Sequence, residues 1–475
     1  KNPSATQGMA GGTLLGLLAL NLASRNRGTS VLPRTCAATA STAPVSGPVD
    51  RILEASRAGD WQRCVALLDE ARAQHGSRLL ARSLHATSLA CSRAGEWAVA
   101  ERLLLELVDT TGLAPRADAY NGAIRAASRA GDPKGASRLL QQMSDAGVEP
   151  DAVSYSCALA GLTSDPPAAL ALMQSMRDRG VQPSARCYSS ALAACRRGRC
   201  GAEATRLLRQ AEEQGLAPTE PDFLHGLVAC GSSGAHAQGA ALWARLRQLA
   251  ADGALPPLSP KAFTAAIGLR AAAADADGAI ALLGELEAAH GQPDLRAFNA
   301  ALRACALASD AAAAKALLAR VAEAGLRADS FSYAAAIRSC GSDTPRALSL
   351  LRDACTVAEG APPVAVYGAA LECCARGGAW REALDTLAQM RDAGVPADAG
   401  CYGAALHALQ SAGEWTHVYE MLYEMRREGV TSAPSLRRDQ IALWRRAKRE
   451  LGLTRATQRT WVPPQVGRGR GRKKA

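Results

Sequence analysis

Residues 117–151 read ADAYNGAIRAASRAGDPKGASRLLQQMSDAGVEPD, and the fold follows from how this stretch recurs. Tyr120, Ile124 and Ala127 stand at i, i+4 and i+7, one apolar stripe of a helix. Ala130–Gly131 follows, where glycine lets the backbone leave that helix. A second amphipathic segment runs through Ala136 to Met143 and stops at Gly147-Val-Glu-Pro-Asp151, with Asp placed to cap the next helix. One aromatic occupies the place of Tyr120 along the chain: Tyr155, Tyr188, Phe223, Phe263, Phe298, Tyr333, Tyr367 and Tyr402. The successive gaps are 35, 33, 35, 40, 35, 35, 34 and 35 residues, so the sequence is a repeat.

With each repeat begun three residues before its aromatic, the starts are Ala117, Ala152, Ala185, Glu220, Pro260, Leu295, Ser330, Val364 and Ala399. Earlier units without the aromatic start at Ala81 and at about Val45. Trp61, Trp97, Trp380 and Trp415 share the seventeenth place. Cys91, Cys195, Cys230, Cys305, Cys340 and Cys374 share the eleventh, on the stripe of the aromatic, which makes them small core residues. The 14 cysteines are therefore read as reduced thiols and not as a disulfide scaffold. Neither helix of a unit buries its apolar face alone, so units must stack. The expected fold is all-α: a right-handed superhelical solenoid of about 10–11 helix-turn-helix units of about 35 residues.

The whole chain has 475 residues, 48% apolar and 4% aromatic, with no apolar run of membrane-spanning length. Its net charge of +11 is unevenly spread. Residues 1–49 carry +4 with no acid, residues 437–475 carry +11, and residues 50–436 carry −4. The basic pI is thus a property of the ends. Residues 1–44, with a short apolar run from Leu14 to Leu22 and then a Ser/Thr/Arg stretch, have the composition of a two-part targeting leader. Residues 45–433 form the array. Residues 434–475 are expected to hold one more basic helix, Leu436 to Leu453, and a disordered Gly/Arg tail.

These units resemble the pentatricopeptide repeat family, most clearly from Ala117 to Asp151 and from Val364 to Asp398. The resemblance implies a protein that binds single-stranded RNA in an organelle, each repeat addressing about one base through two or three side chains. The family's selector places are the fifth and last of each repeat. Carried over, they pair Asn121 with Asp151, Thr264 with Asp294, and Asn299 with Asp329, favouring uracil, guanine and uracil. Ser156 with Ser184 and Ser189 with Thr219 are weaker pairs. Gly368 leaves Asp398 without a first selector, and Leu224, Ala334, Arg116 and Pro363 depart from the pattern. Helix capping explains the same Asp residues, and the two roles are compatible.

Arginines also keep register: Arg125, Arg303 and Arg338 at the ninth place, and Arg57, Arg93, Arg129, Arg197 and Arg376 at the thirteenth. One and two turns beyond the fifth place, they form a row suited to RNA phosphates. An ordinary solvated face with Arg near helix C-termini is the competing reading.

No catalysis, cofactor or metal is expected. No His-x-Glu and no Cys-x-x-Cys occurs, so the zinc deaminase that some family members carry has no counterpart. The expected mode of action is occupancy of RNA in processing, stabilisation or translation, by a monomer with no membrane association in its mature form. Chloroplast or another plastid is the expected location, with mitochondrion the alternative. Other organellar RNA-processing or ribosomal proteins are candidate partners. A protein-binding scaffold, for example one attached to an organellar ribosome, is the alternative function.

Overall fold

The computed structural model describes residues 47–74, 77–357, 361–427 and 434–452. The leader and the Gly/Arg tail lie outside the described residues. Among those described, every regular element is an α-helix. The chain divides into two compact units at Ala194 and Cys195, inside the helix Ala185–Gly198.

In the first unit the hairpins are Pro48–Ala58 with Trp61–Gln74, Ser77–Ala94 with Trp97–Thr111, Ala117–Arg129 with Pro133–Asp145, and Ala152–Gly161 with Pro166–Asp178. In the second unit Gly201–Glu213 precedes five hairpins: Glu220–Ser233 with His236–Ala251, Pro260–Ala272 with Ala276–His290, Leu295–Ala308 with Ala311–Glu323, Ser330–Ser339 with Thr344–Val357, and Val364–Gly377 with Trp380–Asp392. A sixth pairs Ala399–Ala412 with Trp415–Arg427, and the helix Pro434–Glu450 follows. Within each unit the first helix of a hairpin packs against the first helix of the next. That continuous layer gives each unit one face built only of first helices.

Local chemistry sets each boundary. In the hairpin from Ala117 the turn passes through Gly131 at φ +76°. The Asp132 side chain then caps the second helix by accepting from Gly135 N at 2.9 Å, with Pro133 in its first turn. That helix closes with Gly147 N donating to Ser144 O at 3.0 Å and Val148 N to Met143 O at 3.0 Å. This is a Schellman closure, and it explains the recurring Gly-Val and Gly-Leu pairs. The same bonds recur at Gly180–Val181, Gly215–Leu216, Gly325–Leu326 and Gly394–Val395. The turn after the first helix holds a left-handed residue at the fifteenth place; Arg199, Ala274 and Ser309 occupy it at φ 57°, 55° and 58° without being glycine.

Length changes are absorbed locally. The two short repeats have first helices of 10 residues, Ala152–Gly161 and Ser330–Ser339, against 13 or 14 in their neighbours. The long repeat extends its second helix to 16 residues, His236–Ala251, and adds the loop 252–259.

The core lies between the helix layers. Tyr120, Tyr155, Tyr188, Phe223, Phe298, Tyr367 and Tyr402 are buried, as are all six eleventh-place cysteines. Burial of each such aromatic contributes roughly 1.5–3 kcal/mol. Burial also pushes the Cys91, Cys195 and Cys374 thiols up to about 12. The 13 cysteines among the described residues are free.

Each seventeenth-place Trp opens a second helix, and three of them pin the element that follows. Arg138 lies over the Trp97 ring at 5.8 Å, His417 packs on Trp380 at 5.2 Å, and Arg446 lies over Trp415 at 4.8 Å. Together with Tyr419 against Trp444 at 5.0 Å, the last contact docks the helix Pro434–Glu450 onto the final hairpin as its cap. The expected C-terminal helix is present and packs onto the array.

Candidate nucleic-acid interface

The fifth and ninth places fall on first helices, as does the thirteenth outside the two short repeats, so within each unit the stacked layer carries them on one face. Asn299 shows what that stacking does to a selector pair. Asp329 caps the next first helix, accepting from Ser332 N at 2.8 Å, and closes a capping box with the Ser332 hydroxyl. The same carboxylate accepts from Asn299 Nδ2, at 3.2 Å to one oxygen and 3.3 Å to the other. Ser332 Oγ donates to Asn299 Oδ1 at 2.6 Å. The amide is thus held from both ends.

Asn121 and Asp151 repeat the arrangement with a difference. Asp151 caps its helix through Ser154 N at 2.8 Å. Burial works to raise the Asp151 carboxyl, but bonds from the Ser154 backbone and hydroxyl and from the Asn121 amide together hold it below the usual range. Asn121 is 8% exposed, and its Oδ1 is buried without a partner.

The third clear pair and the two weaker ones are less well presented. Thr264 Oγ1 donates to Pro260 O at 2.8 Å and keeps its acceptor lone pairs, while Asp294 caps the next helix through Ala297 N at 2.9 Å. Ser156 is buried, and its hydroxyl donates to Val153 O at 2.9 Å in its own helix. Ser184 lies 3.4 Å from Cys187 Sγ, and Ser189 is half-buried. Thr219 donates through N and Oγ1 to Asp222, at 2.9 and 2.8 Å.

The arginine row is divided. Arg57, Arg125, Arg129 and Arg197 are exposed. Three others reach back to the preceding first helix: Arg93 donates to Ser56 O at 3.3 Å, Arg303 to Gly268 O at 3.0 Å, and Arg376 to Arg338 O at 3.4 Å. These guanidiniums add a second donor to carbonyls near the end of the preceding helix; Ser56 O and Arg338 O also accept from Gly59 N and Gly341 N. Arg338 is paired with Glu372, Nε to Oε2 at 3.1 Å. Register alone does not show which of these bonds form, because each partner lies 34 to 38 residues away.

In the second unit the first helices from Glu220 to Ser339 enclose a groove of about 940 Å³. Arg196, Lys261, Arg296, Arg303 and Arg338 line it, with Asp294 as the single carboxylate. Thr264 lies in the same wall. Phe331 and Leu307, 49% and 56% exposed, add apolar surface to it. The groove is therefore strongly positive even though residues 50–436 sum to −4. Cations gathered in a concavity with low-dielectric walls focus the field there. Lys261, Arg296 and Phe331 belong to no register noted in the sequence; only their shared second place in the repeat could have found them.

Among the described residues no group of three or more His, Cys, Asp or Glu is placed to hold a metal. No described helix is long and apolar enough to cross a membrane.

Comparison with known proteins agrees with this architecture. A pentatricopeptide repeat domain model matches residues 103–162, and a PPR repeat model matches 365–395 and 400–430. No curated protein matches the sequence. The crystal structure of the pentatricopeptide repeat protein PPR10 from maize matches with a TM-score of 0.54 at 20% identity, over 94% of this chain and 66% of that one. PPR10 in complex with an 18-nt psaJ RNA element matches with a TM-score of 0.53 at 16% identity, over 87% of this chain and 73% of that one. Repeat models match in both units and the fold is similar to that of PPR10 over nearly the whole chain; the chain carries pentatricopeptide repeats at residues 103–162, 365–395 and 400–430.

Proposed function

We propose that this protein binds single-stranded RNA along the face built by its first helices and acts by occupying its site. The observation that carries this is the groove of the second unit, where Arg196, Lys261, Arg296 and Arg303 face one carboxylate, Asp294, with Thr264 in the same wall. Cations attract the backbone of any nucleic acid. Single strands add bases that are free to stack on Phe331 and to offer their edges to Asn299 and Thr264. The similar PPR10 was crystallised with an 18-nt RNA element, which supports the same ligand class.

In this reading Asn299 with Asp329 and Asn121 with Asp151 meet uracil. The Asn121 Oδ1 has no partner in its buried position, so the amide has an acceptor to offer the uracil imino group when it turns outward on binding. Thr264 with Asp294 meets guanine, and Ser156 with Ser184 and Ser189 with Thr219 contribute weaker preferences. Arg57, Arg125, Arg129, Arg197 and Arg303 face the phosphates. Arg93 divides its hydrogen bonds between a carbonyl and phosphate, whereas Arg376 gives its donors to the carbonyls of Glu372 and Arg338. Occupancy shields RNA from exonucleases and unwanted pairing, so the affected step is processing, stability or translation.

The acid-free residues 1–49 support an organellar address, a plastid first and a mitochondrion as the alternative. Binding of a short random-sequence single-stranded RNA pool tests the reading. Binding that weakens with salt and with Arg303→Ala is expected; equal affinity for duplex RNA, or none for the pool, would overturn it.

A further inference from the structure

The positive groove stops abruptly at the hairpin from Val364. Its first helix, Val364–Gly377, has Gly368 at the fifth place and Glu372 at the ninth. The ninth place holds Arg in the two preceding hairpins, Arg303 and Arg338. Among the hairpins of the second unit, Glu372 is the single acid lying beyond the first turn of a first helix. It is exposed and accepts from Arg338 Nε at 3.1 Å, so it takes up the last cation of the groove. Arg376 is turned away as well, donating to Glu372 O at 3.3 Å and Arg338 O at 3.4 Å. The following first helix, Ala399–Ala412, carries no Lys or Arg.

We infer that Glu372 sets the boundary of the RNA footprint. It neutralises Arg338 and puts a carboxylate where the next phosphate would lie, so the strand leaves the face after the hairpin of Arg303. This inference rests on the RNA-binding reading above. Its physical basis is repulsion used for specificity: an acid on the path rejects the backbone more sharply than a missing cation would. It also gives the otherwise blank selectors Ala334 and Gly368 a common reason, since no base is brought to them.

The test uses the full chain and a short random-sequence single-stranded RNA pool, with affinities measured across salt. Glu372→Gln releases Arg338 and removes the repelling charge. One phosphate regained steepens the log–log salt slope by about 0.7, which is about fourfold in affinity at about 0.15 M salt. Arg338→Ala is the control. It changes affinity by less than about twofold in the natural chain and abolishes the gain in the Glu372→Gln background, a coupling that a purely structural residue would not show. Glu372→Lys, a second variant at the same exposed place, should gain more. Unchanged affinity and slope in both Glu372 variants, or an Arg338→Ala loss in the natural chain as large as that of Arg303→Ala, overturns the boundary while RNA binding stands. Absence of any binding by the natural chain removes the RNA reading and this inference together.

Discussion

Replacing Asp329 by Ala and by Ser separates two jobs that one carboxylate performs. Asp329 caps the helix Ser330–Ser339 through Ser332 N at 2.8 Å, and it accepts from Asn299 Nδ2 at 3.2 and 3.3 Å. Loss of a cap to Ala costs about 1 kcal/mol. Loss of the acceptor for a half-buried amide costs about 1 kcal/mol more, the typical net value of a hydrogen bond. Asp329→Ala is therefore expected to lower the local stability of that helix by about 2 kcal/mol. Asp329→Ser keeps a capping oxygen and should lose about 1 kcal/mol or less. Hydrogen exchange of the Ser330–Ser339 amides reads these local values directly. Binding should follow a different order. Both variants leave the Asn299 amide without its orienting partner, so both should weaken a uracil-containing selected RNA by about tenfold, or about 1.4 kcal/mol. If Ser restores binding along with stability, or if neither variant changes binding, Asp329 is a cap alone and the selector role of the pair is refuted.

Other consequences follow from the same geometry. Gly135→Ala places a Cβ 2.9 Å from Trp97 Cη2 and 2.8 Å from Asp132 Oδ2, so it should destabilise by about 1–3 kcal/mol in thermal melts, although Ala is the better helix former. Ala274→Gly relieves a left-handed residue at φ 55° and should stabilise by about 0.5–1 kcal/mol; a loss would mean the turn carries no strain. The folded Asp151 carboxyl lies below its ordinary value of 3.8, so its stabilisation is complete above that pH and is lost as the pH falls through the depressed value. Asp151→Asn should therefore flatten the acid limb of the stability profile and leave its shape near neutrality unchanged. Cys91, Cys195 and Cys374, buried and pushed up to about 12, should resist alkylation in the native protein, while the exposed Cys355 reacts first; equal rates would contradict the core assignment.

The repeat itself was fully legible, because it is written in residues whose roles are local. Tyr120 and Cys91 mark a helix stripe, Gly147 ends a helix through its own backbone, and Asp151 caps the next one three residues on. What the register left undecided depends on neighbours about one repeat away. Arg303 and Arg376 occupy the predicted row yet spend donors on carbonyls of the preceding helix, because stacking brings those C-termini within reach. Ser156 holds a selector place, but its hydroxyl bonds back to its own helix. Asn121 and Asn299 look alike in sequence; Asn121 is 8% exposed with an unpaired oxygen, while Asn299 is half-buried and fully oriented by Ser332. The recurring Trp was visible as a pattern, and only the packing shows it pinning the element that follows. The net charge pointed to the chain ends, whereas the groove from Arg196 to Arg338 gathers its cations from helices whose own sequences look unremarkable in charge.

Selection of RNA from a random pool by the full chain, repeated with Asn299→Ala and Asn121→Ala, tests the central claim most directly. The account predicts an enriched single-stranded motif in which a guanine and a uracil are adjacent, with the uracil preference lost in Asn299→Ala and a separate uracil lost in Asn121→Ala. No enrichment, or the same motif recovered by all three proteins, would contradict it.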